Sequence, residues 1–219
     1  MKIQLLGHAC FLLTANDGTR IVTDPYEPGG FGGAVGYGEL GVSAEGVTVS
    51  HGHADHACVE AVGGSPTVID TPAGGAVGTV RMRGVETSHD ASGGGERGGN
   101  IVFLIEADGL RVAHLGDLGH PLTVDQVREI GPVDVLLVPV GGFYTIDATT
   151  AAAVADALGA KVIIPMHYKT EKLGFDIAPV REFIELQPDR CKSLGSSECQ
   201  VDPSLLPEMP EVWVLDAAR

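Results

Sequence analysis

The segment His51-Gly52-His53-Ala54-Asp55-His56 constrains this chain most, because it places three imidazoles and a carboxylate within six residues. It directly follows the apolar run Val47–Ser50, which is typical of a strand. In extended backbone, residues i and i+2 lie on one side, so the first two histidines can bind one metal ion together. Asp55 and His56 follow, where the chain is expected to turn into a helix. Their side chains are therefore expected to be directed at a slightly different position from those of His51 and His53. This spacing favours two neighbouring cations over one, whereas solvated loop histidines are the alternative.

Other short motifs accompany this segment and together carry a family resemblance. The chain resembles the metallo-β-lactamase superfamily, whose HxHxDH signature corresponds to residues 51–56. Within it, the chain is most similar to a branch of small stand-alone hydrolases akin to L-ascorbate-6-phosphate lactonase. The resemblance covers essentially the whole chain and also rests on Leu6–Phe11, Thr23–Pro25, Ser88–Asp90, His114–His120 and Ile164–Tyr168. It implies an α/β (α+β) fold, a four-layer αββα sandwich with metals at one edge of the sheets.

The resemblance also implies a complete set of ligands for two metal ions. The first ion would be held by His51, His53 and His89. The second would be held by Asp55, His56 and His167, with Asp117 bridging the two. No ligand of the pattern is missing, which argues against a decayed, non-catalytic relative.

The local sequence around the more distant ligands agrees with this assignment. His89, Asp117 and His167 each follow a predicted strand, where a solvated histidine or a turn aspartate is the alternative. Asp24 lies at another strand end. Metal-bound imidazoles usually donate their second N–H to a carboxylate or carbonyl, and we predict this acceptor role for Asp24. A simple turn before Pro25 is the alternative.

The remaining site candidates concern catalysis and substrate binding. Besides Asp55 and Asp117, we predict His120 and His8 as catalytic residues that could protonate a leaving group, and a packed histidine is the alternative for His8. Arg97 is the only cation in a glycine-rich loop and could bind a phosphate or carboxylate, unless it is simply solvated. Tyr144 could contact substrate or could pack in the interior.

Alternating and continuous apolar runs predict the strands, and the 219 residues fit a single domain spanning residues 1–219. Strands are expected over residues 2–6, 11–14, 20–23, 67–69, 85–88, 101–105, 111–114, 133–140 and 161–165. Capping signals predict a helix from Thr123 to Gly131, one from Asp147 to Gly159, and one from Asp176 to about Leu186. Residues 28–41 are predicted to form a loop that could be a wall or lid of the site, with a mere surface connection as the alternative.

Charge and composition restrict the partners. The chain has 14 basic and 29 acidic residues and a net charge of −15, which disfavours nucleic acid. No apolar stretch approaches the length needed to cross a bilayer, and the N-terminus lacks a signal-peptide pattern, so we expect a cytoplasmic protein that does not bind membranes. The four cysteines form no CxxC pair and are expected to be free thiols. A homo-oligomer is compatible with the sequence, which is silent on assembly.

These features predict a metal-dependent hydrolase that acts on a small, anionic substrate. Two divalent ions, with Zn favoured over Mn or Fe, would generate a hydroxide that attacks an ester, lactone or phosphodiester. Two alternatives belong to other classes. One is a dinuclear-iron redox protein, and the other is a metal-stabilised binding module without turnover.

Overall fold

The computed structural model describes residues 1–219 and contains two β-sheets. The first sheet has six strands in the order β13-β1-β2-β3-β4-β5. Strands β13, β1, β2 and β3 pair antiparallel, whereas β4 and β5 continue the sheet in parallel. Their bounds are β1 Lys2–Gly7, β2 Cys10–Thr14, β3 Arg20–Thr23, β4 Gly46–Thr48, β5 Thr67–Ile69 and β13 Glu198–Gln200.

The second sheet has eight strands in the order β12-β14-β11-β10-β9-β8-β7-β6. Strands β6 to β9 form an antiparallel meander, and β9, β10, β11, β14 and β12 are parallel. Their bounds are β6 Gly75–Val77, β7 Val80–Ser88, β8 Gly99–Ala107, β9 Leu110–His114, β10 Val135–Pro139, β11 Val162–Met166, β12 Cys191–Ser193 and β14 Glu211–Val214. The predicted strands are therefore present, several of them longer or shorter than expected at their ends.

Few helices accompany the sheets: α1 Gly30–Gly33, α2 Val124–Ile130, α3 Ala148–Leu158 and α4 Arg181–Glu185, with 3-10 turns at Val59–Ala61, Pro188–Arg190 and Pro203–Leu205. The predicted caps are confirmed. Thr123 and Gln126 form a reciprocal capping box before α2, and Asp147 accepts a 2.8 Å hydrogen bond from the Thr150 N–H before α3. Helix α3 ends at Gly159 in the left-handed conformation. None of the helices is both long enough and apolar enough to span a bilayer.

Three apolar clusters hold these layers together. The central one lies between the sheets and includes Phe11 and Leu137. A second joins the other face of the eight-stranded sheet to α2, α3 and α4 and includes Leu136. Because Leu136 and Leu137 point to opposite faces, β10 is buried on both sides, as its continuous apolar run predicts. The fold class is confirmed as a mixed α/β sandwich of two sheets.

The outer face of the six-stranded sheet differs in detail from the expected helical layer. Its apolar cluster packs Leu6 and Val47 against Tyr26, Val35 and residues further along the glycine-rich segment. That segment, predicted as a loop, contains only the single turn α1, in which Phe31 has left-handed backbone torsions. Irregular chain therefore covers this sheet where helices cover the other.

One predicted helix begins later than expected, and another is absent. Helix α4 begins at Arg181 instead of Asp176, because residues before it pair with other backbone: Ala178 donates to the Gly141 carbonyl, and its own carbonyl accepts from Lys169. No α-helix begins at Asp55. The chain there is held in turns, and the Cys58 N–H donates to the Pro25 carbonyl. In both places long-range backbone pairing replaces the local helical pattern.

Candidate metal centre

The predicted ligands come together at one edge of the two sheets, where strands end. Segment 51–56 follows β4 of the first sheet, whereas His89, Asp117 and His167 follow β7, β9 and β11 of the second. The His167 N–H donates a 3.1 Å hydrogen bond to the His8 carbonyl at the end of β1, and so joins the two sheets at this edge. Residues distant in the sequence thus converge on a single site.

The histidines form two adjacent groups that could each hold a metal ion. One group consists of His51, His53 and His89, and the other consists of His8, Asp55, His56 and His167. Within each group, the possible ligand atoms lie within 4.8 Å of one another. The two triads implied by the resemblance are thus each assembled in space, and His8 lies beside the second.

Asp117 lies between the two groups. Its Oδ2 atom is 3.2 Å from His89 Nε2, 3.8 Å from His51 Nε2 and 3.3 Å from His167 Nε2. Its Oδ1 atom is 3.2 Å from His56 Nε2. One carboxylate therefore faces imidazoles of both triads, which is the geometry that a bridging ligand requires.

The backbone around Asp117 is fixed by a buried asparagine and by close glycine contacts. Asn100 Oδ1 accepts a 2.9 Å hydrogen bond from the Asp117 N–H, and its amide donates to Thr87 Oγ1 and to the Leu115 carbonyl. A Cβ atom at Gly119 would collide with the backbone of His89. The Asp117 carboxylate and the His89 imidazole are therefore held close to each other by backbone contact as well as by charge.

Asp24 orients two of the imidazoles. Its Oδ2 atom accepts a 2.9 Å hydrogen bond from His56 Nδ1 and a 2.5 Å hydrogen bond from the Ser50 hydroxyl. The Ser50 oxygen in turn lies 3.0 Å from His51 Nδ1, which can donate to it. In this arrangement the Nε2 atoms of both histidines turn toward Asp117, and His51 Nε2 also lies 3.0 Å from His53 Nδ1. The structure thus brings Asp24 to the position predicted for it.

The charges of the site favour a bound cation. Burial and the nearby His56 lower the pKa of His51 to about 3, so this imidazole is neutral at pH 7 and can act as a ligand. Burial alone would raise the pKa of Asp117, but His167 and His56 hold it well below its usual range. Burial opposes protonation of His56 as well, yet Asp117 and Asp55 raise its pKa well above the usual value. The buried carboxylates thus stabilise positive charge at this point.

Unpartnered atoms support the fit of these residues to metal ions. His56 Nε2 and Asp117 Oδ1 are buried and lie 3.2 Å apart, but they form no hydrogen bond with each other or with any other group. A buried polar atom without a partner is costly, and a metal ion would satisfy both of these atoms. The donors are imidazole nitrogens and carboxylate oxygens, with no cysteine among them, which suits Zn, Mn or Fe.

The two candidate proton donors lie away from the open part of the site. Both ring nitrogens of His120 are engaged: Nδ1 lies 2.8 Å from the Pro121 carbonyl, and Nε2 accepts from the Ser88 N–H at 3.2 Å. His120 does not line the cavity at the site. His8 is buried behind Asp55, with its Nε2 3.1 Å from Asp55 Oδ2. Burial and His167 lower the pKa of His8 to about 4.

A cavity of about 220 Å³ opens onto the candidate metal ligands and reveals residues that the sequence reasoning missed. Its wall contains the predicted contacts Arg97 and Tyr144, together with Phe31 and Phe175, which were not predicted. Phe31 comes from the glycine-rich segment and Phe175 from the segment before α4. The sequence signal for Phe31 is weak, since an aromatic residue between glycines usually marks only a turn.

Backbone strain is concentrated around this site. Six non-glycine residues have positive φ, and one of them, Asp108, lies in a hairpin turn. Three others, His8, Asp24 and His167, lie at strand ends in the site, and Phe31 and Phe143 lie at or beside the cavity wall. Such conformations cost about 1–3 kcal/mol each and persist only where surrounding contacts enforce them. The fold therefore maintains unfavourable backbone geometry specifically here.

This fold and this cluster of imidazoles and carboxylates define a metal-dependent hydrolase of the metallo-beta-lactamase superfamily. Consistently, a sequence model described as a beta-lactamase superfamily domain matches residues 2–167. The chain belongs to the UPF0173 family of metal-dependent hydrolases. It is 32% identical over 213 residues to the member from Methanoregula boonei, spanning 86% of this chain and 92% of that protein.

Other relatives agree with this placement. The UPF0173 metal-dependent hydrolase of Methanospirillum hungatei is 31% identical over 202 residues, covering 81% of this chain and 88% of that protein. A solved structure of a metallo-beta-lactamase superfamily protein from Thermotoga maritima is 45% identical, with a TM-score of 0.79 and coverage of 98% of this chain and 97% of that one. The predicted superfamily is thereby confirmed, whereas the narrower likeness to the lactonase branch stays a prediction.

Proposed function

We propose that this protein hydrolyses an ester, lactone or phosphodiester bond of a small anionic substrate, using two divalent metal ions held side by side. The observation that carries the proposal is the position of Asp117, whose two oxygens face imidazoles of both triads at 3.2–3.8 Å. A carboxylate can bridge two cations through its two oxygens, which a neutral imidazole cannot do.

The residues divide between the two ions as follows. His51, His53 and His89 would hold the first ion, and Asp55, His56 and His167 the second, with Asp117 shared. When bound, such ions lower the pKa of a shared water toward about 7 and polarise the substrate oxygen. We favour Zn for this set of nitrogen and oxygen donors, with Mn and Fe as the other candidates.

The chain's own residues contribute orientation and proton transfer. Asp24 and Ser50 fix the rings of His56 and His51, so that these imidazoles need no reorganisation when substrate binds. Asp55 lines the cavity and accepts a hydrogen bond from His8. We propose that Asp55 Oδ2 takes up the proton that the attacking water loses and passes it to the leaving-group oxygen, while the His8 hydrogen bond holds the Asp55 carboxylate in place. This role replaces the one predicted for His120, which does not line the cavity.

The cavity supports a small substrate. Its volume of about 220 Å³ lies below the range of about 300–1,000 Å³ that is usual for drug-sized ligands. The net charge of −15 disfavours nucleic acid at long range, whereas Arg97 and bound cations would attract a small anion locally. The relatives are named only as metal-dependent hydrolases, so the scissile bond is inferred from the site alone.

A metal-removal experiment tests this proposal. The purified protein is analysed for its elements, stripped with a chelator, and assayed with carboxylic esters, lactones (phosphorylated ones included) and phosphodiesters before and after Zn, Mn or Fe is restored. We expect two metal equivalents per chain, loss of hydrolysis on stripping and recovery on reloading. Hydrolysis that persists after the site is demonstrably emptied would contradict the proposal. Bound iron with a visible spectrum and no hydrolysis would favour the redox alternative.

A further inference from the structure

The glycine-rich loop after His89 is held in a single shape by one buried carboxylate. Asp90 Oδ1 accepts hydrogen bonds from the Ser92 N–H, the Ser92 hydroxyl and the Gly94 N–H at 2.7–2.9 Å. Its Oδ2 accepts from the backbone N–H groups of Glu96 and Arg97 at 3.0 and 2.8 Å. The Gly98 carbonyl also accepts from the His89 N–H at 3.0 Å. Hydrogen bonds therefore fix the conformation of this loop, and the loop directly follows the candidate metal ligand His89.

This loop places Arg97 at the cavity. The guanidinium carbon of Arg97 lies over the Tyr144 ring, 5.7 Å from its centroid, which is a cation–π geometry. The only ion pair of Arg97 is with Glu96 at 3.7 Å, and the Glu96 carboxylate is about two-thirds exposed. No residue of the chain accepts a hydrogen bond from the guanidinium, and Arg97 is the only arginine or lysine in the cavity wall. Its donors are therefore available to a ligand.

An aromatic surface adjoins this cation. The Phe175 ring lies edge-on to both Phe31, at 5.5 Å, and Tyr144, at 5.8 Å between centroids. Phe31 is 55% exposed, although its ring faces the cavity and its backbone is left-handed. A large apolar side chain kept exposed in a strained conformation beside a cavity points to contact with a ligand.

We propose that Arg97 binds an oxyanion group of the substrate, a carboxylate or a phosphate, that is separate from the bond being hydrolysed. A flat or apolar part of the substrate then packs against Phe31, Tyr144 and Phe175. Asp90 is a positioning residue that acts through the loop. This inference names the substrate class of the site above and so rests on the proposed function. The binding of an anion at Arg97 can nevertheless be measured without any hydrolysis.

The kinetic test compares two esters with the same leaving group, 4-nitrophenyl butyrate and the 4-nitrophenyl monoester of succinate, which adds a carboxylate. Arg97→Gln is expected to lower the ratio of kcat/KM for the anionic over the neutral ester by about 10-fold or more, mainly through KM. The matched control is Arg128→Gln, which removes the same charge from an exposed side chain on α2 paired with Asp125. An equal ratio in wild type and Arg97→Gln would overturn the inference.

Calorimetry tests the binding of anions at Arg97 without depending on hydrolysis. Phenylphosphonate and phenylacetate are titrated into the metal-loaded wild type, Arg97→Gln and Arg128→Gln, which distinguishes a phosphate-like from a carboxylate ligand. We expect at least one of the two to bind the wild type about 10-fold more tightly than Arg97→Gln, with Arg128→Gln like the wild type. Equal affinities in wild type and Arg97→Gln, or no binding of either anion, would overturn the inference. Arg97-dependent binding without hydrolysis of any of the esters, lactones and phosphodiesters assayed would reject the proposed function alone.

Asp90 and Phe31 extend the test. If Asp90 acts through the loop, Asp90→Asn lowers the same kcat/KM ratio, and adding it to Arg97→Gln lowers it little further, while the metal content stays that of the wild type. Phe31→Ala is expected to weaken phenylphosphonate binding more than methylphosphonate binding. Its control is Met209→Ala, which truncates another large apolar side chain that is exposed and does not line the cavity. An additive effect of Asp90→Asn contradicts the positioning role, and equal effects of Phe31→Ala and Met209→Ala contradict the aromatic contact.

Discussion

Asp24 Oδ2 lies 2.9 Å from His56 Nδ1, so a fully buried carboxylate sets the orientation of an imidazole in the candidate metal centre. The same carboxylate reaches His51 through the hydroxyl of Ser50. Asp24 thereby connects the end of β3 to ligands of both proposed ions. Residues that touch no metal directly can in this way determine how well the site binds one.

We predict that Asp24→Asn weakens metal binding by about 10–100-fold, because the amide cannot accept both hydrogen bonds with a full negative charge. Ser50→Ala should have a smaller effect, since it removes only the hydroxyl that connects Asp24 to His51. Competition with a chromogenic chelator measures both affinities, and circular dichroism checks that the fold is retained. Affinities equal to that of the wild type in both folded variants would show that these hydrogen bonds do not tune the site.

The variant Asp117→Asn distinguishes between two hypotheses: that the protein is an enzyme, and that it is a metal-stabilised binding module without turnover. An amide offers one oxygen and no charge to the two triads, so we expect at least one metal equivalent to be lost and hydrolysis to fall by about 100-fold or more. Elemental analysis and kcat/KM are the two measurements. Asp125→Asn is the matched control, since this exposed carboxylate pairs only with Arg128. If the only consequence is a lower melting temperature and the wild type hydrolyses nothing, the binding module is favoured.

Gly119→Ala tests the backbone contact that brings the Asp117 loop against His89. The added methyl group would overlap the backbone at His89 and Asp90, which cannot move as a flexible side chain could. Overpacking of this kind costs about 1–3 kcal/mol in free energy of unfolding, and it should also weaken metal binding. Urea denaturation and chelator competition measure the two effects.

The control for this substitution is Gly38→Ala, where the new methyl group has nothing within 4 Å. This variant should be neutral or slightly more stable, because alanine restricts the unfolded chain. Equal stability and metal affinity in the two variants would mean that the loop relaxes and that the close approach at Gly119 is not required.

The N-cap of α3 gives a pH-dependent prediction away from the site. Hydrogen bonds from Thr150 lower the pKa of Asp147, so its charge stabilises the folded state above the unfolded pKa near 3.9, and this contribution is lost as pH falls toward the folded pKa. Asp147→Ala should cost about 1 kcal/mol at pH 7. Asp147→Asn should retain part of the cap and show a weaker loss of stability below about pH 4. Urea denaturation between pH 3 and pH 7 compares them, and parallel curves for wild type and Asp147→Asn would contradict the charge contribution.

Local signals in the sequence predicted much of the fold. Apolar runs predicted the strands, including the doubly buried β10, and the caps at Thr123 and Asp147 predicted where α2 and α3 begin. These features depend on residues within a few positions of one another, so they can be read from the chain itself. The short spacing of residues 51–56 likewise indicated a metal site.

Only the tertiary structure decided the rest, because it depends on contacts between distant segments. Pairing of the chain before α4 with residues near Gly141 moved the start of that helix, and the contacts of His120 with Ser88 and Pro121 kept it out of the cavity. No local pattern reveals that Phe31 and Phe175 meet, since 144 positions separate them and only the packing of two sheets brings their loops together. Sequence thus determined which donor atoms the chain carries, and the fold determined which of them face the same point in space.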